Sequence, residues 1–442
     1  MKSVLSVSIL FLMVTAAPLM AQQDTKAASA VGANLGVTIV DGEAYYLLNL
    51  TPDVAIGKFG VGLDANIRFN SQGKVNTDDI TVSKVIRYLR YGNKGDDLYG
   101  RVGLLDYARL GNGFILGNYK NTASYDLRRV GVELDLVGER LGLETVMSDV
   151  GAPSVLGLRA HVRPLTFTAA ADIPILGKLV VGATYATDLQ SNANLTQETD
   201  IPRPDSRPGT VVVADATDGG ALSVVGVDLG LPIFERSWLR TNLYADVAQI
   251  VDFGSGAAVG LGFQFRPFGV IDLGIQLERR YLGDRFLPRY FDGLYERARY
   301  APLSETLAST KAQELLDAKA TEGNYGEVTL TLFGGLTVNG QYYSPVGVKN
   351  AGDFHARVMP GFEIPGGFEF DAGMDRRRIG KLFVLDENTT LYTRFGYKVN
   401  RFVVASMLYQ YTYAPVKNAA GKTIRYEQQV RVEPRIGVVA RF

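Results

Sequence analysis

Apolar and polar residues alternate along most of this chain. From Phe59 to Phe69, one set of positions holds Phe59, Val61, Leu63, Ala65, Ile67 and Phe69, and the other holds Gly60, Gly62, Asp64, Asn66 and Arg68. A strand sends successive side chains to opposite faces, so this period of two predicts strands with one oily face and one polar face. The split recurs. Val130, Val132, Leu134 and Leu136 alternate with Arg129, Gly131, Glu133 and Asp135, and Ile271, Leu273, Ile275 and Leu277 with Asp272, Gly274, Gln276 and Glu278. Ala257 to Arg266, Phe368 to Asp375 and Leu391 to Lys398 repeat it.

The connections alternate as well. Gly138-Glu139, Pro267-Phe268, Gly334-Gly335, Pro365-Gly366 and Val399-Asn400 read as tight turns, and 189–219, 282–324, 344–352, 378–388 and 414–423 as longer polar loops. Segments of about ten residues joined by short turns at one end and long loops at the other fit a closed antiparallel transmembrane β-barrel. The fold class expected is therefore all-β, a barrel of about 18 strands within a range of roughly 16 to 20, wide enough for water in its lumen. Segments near 45–56 and 107–118 alternate least regularly. Short turns and termini are expected in the periplasm, long loops outside.

The C-terminus adds a second sign. Val430, Val432, Ile436, Val438, Ala440 and Phe442 share one face of the last segment. A terminal Phe preceded by apolar residues at every second position resembles the assembly signal of bacterial outer-membrane β-barrels, porin-like proteins as a class. The resemblance implies the barrel-assembly machinery as a partner, outer-membrane lipid and lipopolysaccharide as surroundings, and Val438, Ala440 and Phe442 as the signal. Pro434 departs from the pattern, and irregular pairing is expected there.

At the other end, Lys2 precedes the apolar run Val4 to Pro18, and Leu19-Met20-Ala21 suits cleavage, so residues 1–21 are expected to be a secretory signal peptide. Residues 22–44 are expected to be a periplasmic lead-in and 45–442 the barrel, with long extracellular loops at 189–219 and 282–324. One helix is expected, about Leu303 to Ala320, because Leu303, Leu307, Leu315 and Leu316 lie at helical spacing after Pro302. Packing at the rim, constriction of the pore and docking of a partner all remain open for it.

Composition narrows the chemistry. The 442 residues include 49 Gly, 23 Tyr and 21 Phe, which suits many strands and turns, and no Cys, which removes disulfides and thiolate chemistry. The balance of 46 basic against 46 acidic residues argues against nucleic acid as a partner. Only His161 and His355 are present, no His/Cys metal cluster or phosphate-binding loop appears, and Gly111-Asn112-Gly113 with Gly117 lacks the βαβ setting of a dinucleotide site. Those glycines mark a kinked strand or an inward loop. No enzyme, metal or cofactor is expected.

Alternation places a mixed-charge set on the lumen face or at its mouth: Arg129, Arg159, His161, Arg163, Arg266, Arg280, Arg357, Arg377 and Arg394, with Glu133, Asp135, Asp272, Glu278, Asp371 and Asp375. These residues stiffen the wall as cross-strand ion pairs, or set a transverse field that orients polar solutes. Three arginine-rich clusters, at Arg376 to Arg378, at Arg279, Arg280, Arg285, Arg289, Arg297 and Arg299, and at Arg159 to Arg163, either gather as a basic patch at the outer mouth or pair with Asp284, Asp292, Glu296 and Asp375. The function expected is an outer-membrane channel for passive passage of small polar solutes. A loop-sealed or ligand-specific transport barrel and a structural or adhesion protein are the alternatives.

Overall fold

A computed structural model describes residues 30–40, 43–70, 85–105, 107–122, 129–191, 221–293, 295–298, 301–302, 308–309, 311–333, 336–348, 351–360, 367–379, 385–386, 389–399, 403–417 and 423–441. The expected signal peptide and most of the 189–219 loop lie outside them. The strands are β1 (Ala30–Val40), β2 (Glu43–Ile56), β3 (Phe59–Leu63), β4 (Ala65–Asn70), β5 (Ile86–Tyr91), β6 (Leu98–Gly103), β7 (Gly131–Val137), β8 (Leu141–Met147), β9 (Val155–Val162), β10 (Val180–Asp188), β11 (Leu222–Glu235) and β12 (Leu239–Ile250). They continue with β13 (Ser255–Phe265), β14 (Ile271–Leu282), a two-residue pair β15 (Ala301–Pro302) and β16 (Ala308–Ser309), then β17 (Thr321–Leu332), β18 (Leu336–Pro345), β19 (Gly352–Pro360), β20 (Phe368–Ile379), β21 (Thr389–Lys398), β22 (Val403–Lys417) and β23 (Thr423–Arg441).

Each strand but the small pair lies antiparallel beside its neighbour in sequence, in one sheet of 21 strands. β3 and β4 both pair with β2, so they are one strand interrupted at Asp64, and the wall has twenty positions, inside the expected range. β1 pairs with β2 on one side and with β23 on the other, Ala30 opposite Arg441 and Gly36 opposite Arg435, and this closes the sheet. An even count leaves Ala30 and Arg441, the two ends of the wall, at one rim.

That closure corrects the expected lead-in at 22–44: residues 30–40 are wall. Val31, Ala33, Leu35, Val37 and Ile39 repeat the two-residue period, and without this strand β2 and β23 would both be open edges. The register of β22 to β23 runs unbroken past Pro434, which faces Met407, against the expected irregularity. The ladder to β1 instead stops at Arg435, one residue after Pro434, where a missing N–H has less to disrupt.

The two faces are sorted opposite to a soluble protein. Outward positions are exposed and oily: Phe59, Val61, Leu136, Leu158, Val227, Leu243, Val247, Val259, Leu277, Phe395 and Val432. Inward positions are buried and often charged: Glu133, Asp135, Arg159, Asp228, Asp246, Glu278 and Arg280. An apolar outside around a polar inside requires hydrocarbon, not water, as the outer solvent. Aromatic groups stand toward the rims. Trp238 packs edge-on against Phe234 and Phe265 near the termini, each at 6.0 Å, and Tyr46 stacks on Phe69 toward the opposite rim.

Connections at the rim of the termini are mostly short, as expected: 57–58, 92–97, 138–140, 236–238, 266–270 and 333–335. The exception is 163–179, where three 3-10 turns, Pro164–Phe167, Ala169–Asp172 and Leu176–Lys178, join β9 to β10. The opposite rim carries the longest loops, 104–130, 189–221 and 283–320.

Glycine and aromatic residues fit together on the inner wall. Gly260 sits opposite Tyr244, and a Cβ at Gly260 would lie 2.1 Å from the ring. Gly373 and Tyr392 repeat the arrangement, with 2.4 Å. A ring lying flat over a glycine fills the inner surface without widening the wall. Tyr244 cannot swing away, because its hydroxyl donates to Glu278 at 2.9 Å and accepts from Gln276 at 2.7 Å. Gly260→Val is therefore expected to destabilise the refolded barrel by about 1–3 kcal/mol in urea unfolding. Gly340→Ala, where a Cβ meets nothing within 4 Å, should leave the midpoint unchanged.

Candidate functional site

The segment at 107–118, expected as an irregular strand, is not part of the wall. β6 ends at Gly103 with φ of 130°, a left-handed conformation that a side chain would strain, and the chain turns into the lumen. Asn121, fully buried, ties both feet of this loop to the barrel. It accepts from the Leu105 N–H at 2.9 Å and donates to the carbonyls of Gly103, Arg129 and Ser148 at 3.2, 3.1 and 2.9 Å. Between the feet the loop doubles back as a hairpin, with Ala108 bridged to Tyr119 and the turn at Gly111 and Gly113. The glycines noted in the sequence thus serve an inward loop.

Its apolar side chains fit where the wall is smallest. A Cβ at Gly157 would lie 2.8 Å from Leu110, and one at Gly226 2.7 Å from Ile115. Around them Phe114, Leu116, Val146, Val155, Ala186, Val224, Ala248 and Ile250 form one buried apolar cluster. The polar tip reaches along the wall. The Gly111 N–H donates to Glu144 at 2.8 Å, Asn112 donates to Asp246 at 3.3 Å, and Gln276 donates to the Asn112 carbonyl at 3.0 Å. Arg109 donates to Gln276 at 3.1 Å and to Glu327 at 2.6 Å.

The 283–320 loop covers the hairpin. The N–H groups of Arg289 and Phe291 donate to the carbonyls of Phe114 and Ile115 at 2.7 and 3.2 Å. Tyr119 and Arg129 both donate to Glu296, at 2.5 and 3.1 Å, and Tyr295 donates to Asp188 at 2.7 Å. Phe286, Tyr290, Phe291 and Tyr295 extend the apolar cluster. The loop contains a short helix, α1 (Tyr295–Ala298), and a second, α2 (Lys311–Asp317). α2 corrects the longer helix expected from Leu303 to Ala320: Ala308–Ser309 pairs with Ala301–Pro302 as strand, which excludes helix there, and Leu303 and Leu307 lie outside the described residues. Leu315 is 0% exposed inside the cluster while Leu316 is 50% exposed, so α2 packs with one face into the lumen.

Two arginines, Arg280 of β14 and Arg289 of the 283–320 loop, meet over β17. Arg280 and Arg289 each stand 4.1 Å from the Tyr325 ring centre. Arg280 pairs with Glu278 at 2.5 Å, and Glu327 receives Arg109 at 2.6 Å, Arg289 at 3.3 Å and the Tyr325 hydroxyl at 2.8 Å. Glu327, Tyr325, Arg109 and Asn121 were not singled out in the sequence; only the Gly111 to Gly117 pattern marked this region.

The expected lumen residues divide among several settings. Arg159 pairs with Glu144 at 2.5 Å and Asp228 at 2.6 Å beneath the hairpin tip, beside His161 at 3.1 Å. Glu278 and Arg280 are 0 and 2% exposed at their side chains, so they meet no water. Glu133 and Asp135 hold Lys94 at 2.5 and 2.8 Å near the rim of the termini. Burial opposes the charge of Lys94, but the two carboxylates outweigh it and hold the ammonium above the usual lysine range. Arg266 and Asp272 pair at 2.9 Å at the same rim, and Arg163 donates to the Glu139 carbonyl there. The suggested basic patch at the outer mouth is thereby corrected: β9 carries Arg163 to the rim of the termini, Arg279 pairs with Glu322, and Arg376 pairs with Asp386 at 3.4 Å. The side chains of Arg377, Val438, Ala440 and Phe442 lie outside the described residues.

Across the lumen the setting changes. His355 pairs with Asp375 at 2.5 Å, and Arg357 and Arg394 share Asp371. Tyr107, from the start of the hairpin, accepts from Arg357 and so spans the lumen. Gln410 and Thr412 of β22 are exposed on this side. The hairpin therefore packs against the wall from β8 to β14 and touches the opposite wall at Arg357, while Gln410 and Thr412 beyond it stay exposed.

If Glu327 is the hub of these contacts, Glu327→Ala leaves Arg109 and Arg289 without their carboxylate. Urea unfolding in detergent should show a loss of roughly 3–5 kcal/mol. Limited proteolysis should cut within 104–122 in the variant and spare it in the parent.

No protein-family model and no curated protein sequence matches the chain. Weak likenesses to solved structures exist. The siderophore receptor PirA from Acinetobacter baumannii is 9% identical with a TM-score of 0.40, over 94% of this chain and 80% of that one. The outer membrane protein opdK from Pseudomonas aeruginosa is 13% identical with a TM-score of 0.32, over 94% and 99%. Wzi from Escherichia coli, a carbohydrate-binding β-barrel, is 10% identical with a TM-score of 0.35, over 94% and 84%. The architecture of this chain rests on its own strand register.

Proposed function

We propose that this protein is an outer-membrane channel that passes small polar solutes through a lumen narrowed by its own hairpin loop. The observation that carries this reading is the one-sided placement of the hairpin at mid-height. Its apolar face is packed against β8 to β14, while across the lumen Gln410 and Thr412 stay exposed and Arg394 partly so. A loop held at mid-height sets the width a solute meets, and the charged wall opposite sets what may lie beside it. The chain would reach this membrane by its signal at 1–21 and insert through the assembly machinery that reads Val438, Ala440 and Phe442, with lipopolysaccharide at the rim of the long loops. The mechanism needs no catalysis and no cofactor.

The dry packing of 283–320 over the hairpin favours a second reading, a barrel sealed until a ligand or partner shifts that loop. Planar bilayers separate the two. The channel reading predicts stepwise conductance from refolded protein, and at least a twofold rise when 107–119 is replaced by a short Gly/Ser linker. A parent protein that never conducts, with steps appearing only after the replacement, would establish the sealed barrel instead.

A further inference from the structure

Two arginines buried on the covered side of the lumen pair closely, Arg280 with Glu278 at 2.5 Å and Arg159 with Asp228 at 2.6 Å. Arg357 and Arg394 are different. Both approach one carboxylate, Asp371, and only at 3.9 and 3.6 Å. The Tyr392 hydroxyl, donating at 3.1 Å, takes part of that carboxylate's accepting capacity. The Nε of each arginine is buried without a hydrogen-bond partner, as is that of Arg289 on the covered side. Among the described side chains, two guanidiniums against one carboxylate leave a positive charge over, and Arg357 and Arg394 remain 27 and 43% exposed, within reach of a solute.

The hairpin adds to this charge. Lys120 stands 4.9 Å from the Tyr107 ring centre, and Tyr107 accepts from Arg357, so its own proton is available to an incoming acceptor. Guanidinium groups bind carboxylates and phosphates through two parallel N–H donors, and such contacts strengthen away from bulk water.

We propose that Arg357 and Arg394, with Tyr107, form a subsite that transiently holds an oxyanion, a carboxylate or phosphate group, of a solute crossing the constriction. Its ligand is a solute of the channel proposed above, so the subsite rests on that reading. Asp371 serves as an internal counter-ion: it holds the two arginines in place while the site is empty and is too distant to satisfy them. Passage then requires weak binding, because a tightly held anion would block the pore.

Trifluoroacetate is a suitable probe, read by 19F line broadening with full-length protein refolded in neutral detergent. The subsite predicts concentration-dependent broadening that falls at least threefold in R357Q/R394Q, with R394K retaining most of it. Should the double variant fail to refold, as judged by heat-modifiable gel mobility, R394Q alone should still lose at least half, since Arg394 is the more exposed of the pair. No broadening by the parent, or equal broadening by parent and variants, overturns the proposal. A barrel that binds trifluoroacetate but never conducts would sink the channel and keep the subsite; one that conducts without such binding does the reverse.

Discussion

The structure depends on the closure of one backbone ladder. In hydrocarbon no water is present to satisfy a free N–H or C=O, and each one left open costs several kcal/mol. β1 therefore has to meet β23, and it does so through seven residues, Ala30 to Gly36. Closure removes the sheet edges, forces an even number of strand positions and gives every residue of the wall one of two fates, toward lipid or toward the lumen. The apolar outer face and the buried charges of the inner face follow from it.

Closure leaves the inner face to be divided. A lumen of this size would hold water all round if the loops stayed outside. Instead the 104–122 hairpin and the 283–320 loop fold inward and dry one side of it. Burying Glu278, Arg280, Arg289 and Glu327 is unfavourable unless each is paired, and Arg280 accordingly meets Glu278 while Glu327 receives both Arg289 and Arg109. Opposite, Arg357 and Arg394 are only partly withdrawn from solvent, at 27 and 43% exposed, so their looser pairing with Asp371 is less unfavourable.

The wall was legible in the sequence because a period of two is imposed on every strand. Phe59 to Leu63 and Ile271 to Glu278 sort as their alternation predicts. β1 carries the same period, but its small residues, Gly32, Ala33 and Gly36, give only a faint contrast between faces, which is why 22–44 reads as a lead-in. The division of the lumen was less legible. Alternation shows that Arg159, Glu278 and Arg394 point inward, but the pattern is identical whether water or a folded loop lies beyond. What decides is long-range: Gly157 and Gly226 make space for Leu110 and Ile115, contacts that no local spacing encodes. Leucine spacing likewise overstated α2, because the pairing of Ala301–Pro302 with Ala308–Ser309 competes with helix there.

The central claim is that one wall of the lumen is wet, the other dry, and the outside oily. The chain has no Cys, so single cysteines can be placed without background. Rates of labelling by a membrane-impermeant maleimide, in protein reconstituted into liposomes, measure the claim directly. Gln410→Cys should label readily, whereas Ala248→Cys beneath the hairpin and Val247→Cys on the lipid face should both resist. Ready labelling at Ala248→Cys, or protection at Gln410→Cys equal to that of the other two, would contradict it.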